Sequence, residues 1–456
     1  MDKSLLKTAK LCVDKQDWVN AWHVLNSYLN EDPESPEGLY LMGHLLRQQG
    51  HVGLALPIFS KALAYNQKQP NLWMNYGACL HDLNRWDEAI KTFKIVESMC
   101  PDDDMPPANI AGSLVNIGDW REAINQADKA LKKNPNNYIA HIAAAFANLA
   151  IGRWKDGWSH SEWLYGHHLD VRIYNPPEKE EPTWDGSPNK TVVVQCDQGV
   201  GDVLMFSQIF PRMAQDCKKV IIETIDRLVP LFKRNFPQCD VYGTLKRTPT
   251  WVDKYQIDAH IHVSALGRFY LNKDSDFERK KYITPDPILV KKWEEILKDK
   301  PKPWVGIAWR GGIQQTHKHL RSVSLDEFEP IINNAGTAVD LSYHNSLEEV
   351  SRWNIDNVKQ IFKPEIDTTN FDDTVALAYV LDDVVCVTTT ILHVRGALGK
   401  PVSVLVPSVA QWREASQTID GGMIWYPENT VNFFRQISGE NGFSKAIKRL
   451  MEHKCE

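Results

Sequence analysis

The chain has 456 residues, 43% of them hydrophobic and 24% charged, with a formal net charge of −6. That length is too great for one compact domain and sets an expectation of about three. The acidic balance excludes a global basic field for nucleic acid or anionic lipid, leaving only local patches such as "RKKY" at 279–282. The first residues are charged and lack an apolar signal core, and no run approaches the ~18 apolar residues of a membrane span. The eight cysteines show no CxxC pair and no metal-ligand spacing with histidine, so a reducing, cytoplasmic compartment is expected.

The first third of the chain repeats every 34 residues. Ala21, Ala55, Ala89 and Ala123 form one series, continued by Gly157; Trp86, Trp120 and Trp154 form another, with Trp18 two periods earlier. Gly50, Asn84, Gly118 and Gly152 keep the same interval, as do Gly43 with Gly77, Phe59 with Phe93, and Pro101 with Pro135. The pattern resembles the tetratricopeptide repeat, a helix pair per unit. Small residues sit where two helices touch, large ones fill the gap to the next unit, and proline closes the second helix. Four units are expected from Ser4 to Asn136 and a divergent fifth from Tyr138 to Gly166, giving a helical domain over 1–170. These tryptophans and alanines read as packing, and a concave face remains for a peptide, a protein partner or a second copy.

The Pro- and charge-rich stretch 175–190 reads as the end of a linker, placed at 171–190. Beyond it the pattern alternates strand and helix: strand 191–196, helix 202–216, strand 219–225, helix 227–236, then short segments at 239–243 and 259–265. A second such series begins at 303–312. It continues with helix 324–336, strands 338–344 and 357–362, helix 371–382, strand 383–388, helix 391–399 and strand 401–407, and closes with an amphipathic helix at 443–454. Alternation of this kind implies parallel sheets covered by helices. Two Rossmann-like halves are expected, 191–300 and 301–456, facing one another with ligands at the carboxyl ends of their strands.

"VVVQCDQGVGDVLMF" (192–206) breaks a strand into a glycine turn and then a helix. It has G-x-G but neither the third glycine of a dinucleotide site nor the Gly-Lys-Ser/Thr of a P-loop, so a dehydrogenase is a distant reading. Gly199 and Gly201 permit close backbone approach or positive φ. Asp202 is either a helix N-cap or a carboxylate able to take a proton from a hydroxyl.

These residues carry a further resemblance. "QGVGDVLMFSQIFPRM", "VGIAWRGG…THKHLRSVSLDEFEPII" and "FDDTVALAYVLDDVVCVTTTILHVRGALGKPVSVLVP" resemble, in order and spacing, the heptosyltransferase-like glycosyltransferases of family 9; "WR" at 412–413 and "WYPENTVNFFRQ" also fit. "PTWDGSP" is similar to the junction in bacterial proteins fusing tetratricopeptide repeats to such a domain. The resemblance implies an α-solenoid followed by an α/β GT-B fold with two facing Rossmann-like domains. It implies inverting transfer of a hexosyl, pentosyl or heptosyl group from a nucleotide-sugar co-substrate to a hydroxyl acceptor, with no bound metal and no other cofactor. The acceptor class stays open among glycan, lipid-linked sugar, protein and modified nucleobase; repeats joined to a GT-B unit also resemble the protein O-linked N-acetylglucosamine transferases.

Residue by residue, the resemblance implies Asp202 as general base, with Gln198, Gly199 and Gly201 on the acceptor side. On the donor side it points to Arg321, with His317 and Lys318 in the same loop, to Thr388, Thr389 and Thr390 at a helix start, and to His393. Trp309, Tyr343 and His344 are candidate liners of the nucleotide pocket. Thr388 stands where the family usually has Asp, and Arg395 replaces a usual small residue. Either the donor differs or the transferase half is inert and the protein is a repeat scaffold.

Overall fold

The 34-residue period has a conformational cause at the turn inside each helix pair. Gln16, Gly50, Asn84, Gly118 and Gly152 all adopt positive φ, between 58° and 86°. The backbone there must pass through the left-handed region, which Gly and Asn enter most cheaply. In the computed structural model the described residues are 3–161, 163, 182–196, 199–243, 251–312, 318–342, 346–415, 422–440 and 442–454. The chain divides into two compact units, Met1–Ile151 and Gly152–Glu456.

The first unit is a run of helices: α1 (Lys3–Asp14), α2 (Trp18–Glu31), α3 (Pro36–Gln48), α4 (Val52–Tyr65), α5 (Pro70–Asp82), α6 (Trp86–Met99), α7 (Met105–Ile117), α8 (Trp120–Lys133) and α9 (Tyr138–Ala150). Aspartates cap where the backbone leaves free N–H groups: Asp17 accepts from Asn20 N and Asp119 from Glu122 N. Ala21, Ala55, Ala89 and Ala123 are wholly buried. A Cβ on Gly43 would stand 2.8 Å from Phe59, and one on Gly77 would stand 2.7 Å from Phe93, one period on. The glycine is thus the socket for the aromatic ring of its own pair. A hollow of about 280 Å³ lies among α2, α3 and α4, lined by Trp22, Leu29, Met42, Leu46 and Ile58.

The second unit begins with α10 (Trp154–His160), the second helix of the fifth repeat, which sequence reasoning placed with the repeats. Its tryptophans explain why. Trp154 Nε1 donates to Asp274 Oδ1 at 2.6 Å, and Trp158 Nε1 donates to the Leu271 carbonyl at 2.6 Å. Their rings join an aromatic chain, Trp154–Phe277–Trp425–Phe206–Trp158–Trp412, with successive centroids 4.7–6.0 Å apart. The end of the expected linker is also built in. Trp184 N donates to the His260 carbonyl, and its buried ring stacks on Tyr270. Residues 171–181 lie outside the described residues.

Two wholly parallel sheets follow. β1 (Thr191–Gln195), β2 (Lys219–Thr224), β3 (Asp240–Gly243) and β4 (Ala259–His262) pair in the order β3-β2-β1-β4. β5 (Trp304–Ala308), β6 (Thr337–Asp340), β7 (Ile361–Phe362), β8 (Asp383–Val387), β9 (Val402–Val406) and β10 (Val431–Arg435) pair in the order β10-β9-β8-β5-β6-β7. β1, β5 and β9 are buried at every residue, as strands covered on both faces must be. Elements additional to the sequence reading include β10 and the helices Pro287–Leu297 and Leu347–Asp356. The expected helix 202–216 is two helices, Val200–Ser207 and Phe210–Asp216, the second opening on Pro211.

Bonds to two buried aspartates tie helices of the two sheet-bearing halves together. Arg234 Nη1 donates to Asp372 Oδ2 at 2.8 Å; Lys292 Nζ and Trp293 Nε1 each donate to Asp373 Oδ1 at 2.8 Å. Asp372 and Asp373 are both buried in the first turn of the helix Phe371–Val380. Among the described residues no helix is long and apolar enough to cross a membrane.

Candidate functional site

Each sheet has one point where the chain, having built strands to one side, returns to the other. In the first sheet this lies beside β1, between β2 and β4; in the second it lies between β5 and β8. Loops leaving the carboxyl ends of such strands diverge and open a site. Asp202 follows β1, Gly311 follows β5, and Thr388 follows β8.

Asp202 sits in the first turn of Val200–Ser207, whose N-cap is Gly199. It therefore does not cap the helix. Its Oδ1 accepts from Arg413 Nε at 2.5 Å, and both side chains are 21% exposed. Gly199 has φ of −56° and open space around it, so positive φ is not its reason for being glycine. Gly201 does need close approach: a Cβ there would stand 2.7 Å from the His393 ring. This contact brings the helix after β1 against Thr390–Leu398, the helix after β8.

His393 is buried, its Nδ1 2.7 Å from Tyr426 Oη. Burial is the main cause that pushes its pKa down to about 4; Arg413 and Arg321 add to this and Asp202 opposes it. Arg321 Nε donates to Thr388 Oγ1 at 2.7 Å, and its Nη2 donates to the Thr388 carbonyl at 2.5 Å. Gly311 is wedged beside them, where a Cβ would meet Thr388 O at 2.8 Å and Arg321 O at 2.9 Å. Glu414, next to Arg413 in sequence, is buried, and its Oε2 has no hydrogen-bond partner among the described residues. Burial raises the Glu414 carboxyl above its ordinary range, against Arg321 and Arg413. The structure thus gathers Asp202, Arg413, Glu414, Arg321, Thr388 and His393. Thr389 is the N-cap of Thr390–Leu398 and makes no side-chain cap bond.

Other candidates sit elsewhere. Trp309 is fully buried in the second sheet's core and donates Nε1 to Glu349 Oε2 at 2.8 Å; it packs the sheet and offers no face to a base. Arg395 points away from the site: it is fully buried and donates to the carbonyls of Pro401, Ala378 and Leu381. The RKKY patch is ion-paired, Arg279 with Glu428 and Lys280 with Glu278. Its Tyr282 donates to the Leu204 carbonyl at 2.9 Å and stacks on Tyr426. Lys318 opens the short 3-10 turn Lys318–Arg321; its side chain, with Gln198, His317, Tyr343 and His344, lies outside the described residues. Among the described residues no group of three or more His, Cys, Asp or Glu side chains is placed to hold a metal ion.

Sequence reasoning assigned no role to Glu414 or Tyr426 and noted Arg413 only as part of a fitting dipeptide. Their one signal was position, in the "WRE" and "WYP" phrases downstream of β9. A further titrating group lies in the first sheet. Glu223, at the carboxyl end of β2 opposite Gln195, is buried with Oε2 unpartnered among the described residues, and burial pushes its pKa up to about 7. A raised carboxyl pKa contributes stability that is full below about 4.5 and lost as pH rises through about 7. His393, with its lowered pKa, contributes stability that is full above about 6.5 and lost as pH falls through about 4. Glu223→Gln is expected to be more stable than the natural chain by about 2–3 kcal/mol at pH 8, with the difference vanishing near pH 4.5. Thermal unfolding of both proteins across this range checks it; a pH-independent difference contradicts the assignment.

Residues 14–95 match the family model described as anaphase-promoting complex, cyclosome, subunit 3, and residues 109–157 match a tetratricopeptide repeat model. The N-terminal region is built of tetratricopeptide repeats. No curated protein matches the chain. Among solved structures, the chain is similar to MamA (41-end) from Desulfovibrio magneticus RS-1, at 20% identity and a TM-score of 0.32, over 36% of this chain and 90% of that one. It is also similar to YrrB, a TPR protein with an unusual peptide-binding site, at 16% identity and 0.32, over 37% and 89%. A third is TTC0263, a thermophilic TPR protein in Thermus thermophilus, at 17% identity and 0.32, over 38% and 94%.

Proposed function

We propose that the second unit is a GT-B, metal-independent, inverting glycosyltransferase that moves a sugar from a nucleotide-sugar to a hydroxyl acceptor. The observation that carries this reading is that Asp202, from the switch point of one sheet, is ion-paired with Arg413 of the other half, within electrostatic reach of Arg321, which binds Thr388 at the other sheet's switch point, where the Thr390–Leu398 helix starts. Inversion needs one base on the face opposite the leaving group. Asp202 takes the acceptor hydroxyl proton as the acceptor oxygen bonds to the anomeric carbon. The bond from that carbon to the diphosphate oxygen breaks, and the diphosphate leaves with the electron pair. Arg321 and the helix N–H groups meet that charge. Thr388 in place of the family carboxylate fits this reading, because its hydroxyl and carbonyl hold the Arg321 fork in place. The repeats are proposed to hold a protein partner, an acceptor or a second copy.

Thermal shift with a panel of nucleoside diphosphates, followed by product analysis with the matching nucleotide-sugars, tests the reading. One diphosphate is expected to stabilise the chain, and Arg321→Ala to weaken it by about 10- to 100-fold, the worth of hydrogen bonds to a charged group. A chain that none stabilises, and that hydrolyses no donor, is a scaffold.

A further inference from the structure

Arg413 and Arg321 lie on the same half of the second unit, close enough that each perturbs His393 and Glu414. Arg321 directs Nε and Nη2 to the neutral oxygens of Thr388, so no carboxylate is bonded there. Arg413 instead reaches across to the other half and holds Asp202, 211 residues away in sequence. That contact takes up one of the carboxylate's two oxygens and sets a cation against the group that is to receive the acceptor's proton. Arg413 also lies over the Trp412 ring, 4.8 Å from its centroid, with Nη1 3.5 Å from Gln411 Oε1, and Asp202 engages it through Nε alone, whereas a diphosphate offers a guanidinium a bidentate anionic partner.

We infer that Arg413 is a second diphosphate ligand that exchanges partners: it holds Asp202 until the donor binds, then turns to the diphosphate and frees the carboxylate. The inference rests on the reading of this site as a donor pocket. It makes donor binding precede activation of the acceptor, so the donor is not opposed by an armed base before the acceptor arrives. It also assigns specificity for a doubly charged leaving group to two arginines, one fixed on Thr388 and one mobile.

Calorimetric titration of the full chain with inorganic pyrophosphate, run as a double-mutant cycle, tests it. If Arg413 must leave Asp202, Asp202→Asn tightens pyrophosphate binding by about five-fold or more, and Arg413→Gln weakens it by about ten-fold. The gain from Asp202→Asn must then disappear, to within two-fold, in the Arg413→Gln background. An equal gain in both backgrounds is a plain charge effect and overturns the exchange, as does the absence of any gain; both leave the donor pocket standing. Failure of every variant to bind pyrophosphate overturns the exchange and the glycosyltransferase reading together. Circular dichroism verifies folding of each variant. Should Arg413→Gln not fold, Arg413→Lys keeps the charge without the fork, and the same cycle must show the gain reduced.

Discussion

Asp202→Asn is expected to lower sugar transfer by about 10²- to 10⁴-fold, the range for a positioned general base, while nucleoside diphosphate binding is kept or tightened. Asparagine has the shape of aspartate, and its neutral carbonyl oxygen holds Arg413 more weakly than Asp202 Oδ1 does now at 2.5 Å. What it cannot do is accept the acceptor's proton. The helix turn and the Gly201–His393 contact do not involve the carboxylate, so the fold is expected to be unchanged. The check is paired: rate of nucleoside diphosphate release with the donor that stabilises the chain, and affinity for the diphosphate itself. Full retained activity removes Asp202 from the chemistry. Loss of diphosphate affinity assigns the residue to donor binding instead.

Arg395→Met is expected to destabilise the second unit by about 3–5 kcal/mol, the cost of leaving three buried carbonyls without their donor at about 1–3 kcal/mol each, with diphosphate affinity unchanged within two-fold at low temperature. Burial lowers the Arg395 pKa to about 10, which still leaves it charged at neutral pH. The charge is tolerated because the guanidinium donates to Pro401 O from Nε and Nη2, and to Ala378 O and Leu381 O from Nη1. Methionine fills much of the volume but leaves three buried carbonyls short of a donor. Thermal unfolding is expected to show a fall of roughly 5–8 °C for a unit of this size. A small fall accompanied by lost diphosphate binding contradicts the structural role and assigns Arg395 to donor binding.

The repeats were legible because each obeys a local rule. A left-handed turn at Gly50, Asn84, Gly118 and Gly152, and a glycine facing an aromatic ring at Gly43 and Gly77, are sequence-near constraints that recur at fixed spacing. The strands β1, β2, β5, β8 and β9 were legible as apolar runs. β10 was not, since Val431–Arg435 buries only part of its length. Pro287–Leu297 is signalled by Asp286, which accepts from Ile288 N, and by Pro287 after it. α10 carries both signals: Trp154 and Gly157 keep the repeat's spacing, and Trp154 and Trp158 donate to the α/β part of the chain.

For the site, sequence alone singled out Asp202, Arg321, Thr388 and His393 as the residues to watch, and the structure gathers them. Which of their neighbours matter was a tertiary decision. Arg413 meets Asp202 from the far sheet, Thr388 binds Arg321 across 67 residues, Glu414 is closed in beside two arginines, and Trp309 and Arg395 are drawn into cores. Periodicity and turn chemistry act over a few residues and are written in the chain. Counter-ions, desolvation and the direction of a long side chain depend on what the strand order brings alongside, and that exists only once both parallel sheets have formed.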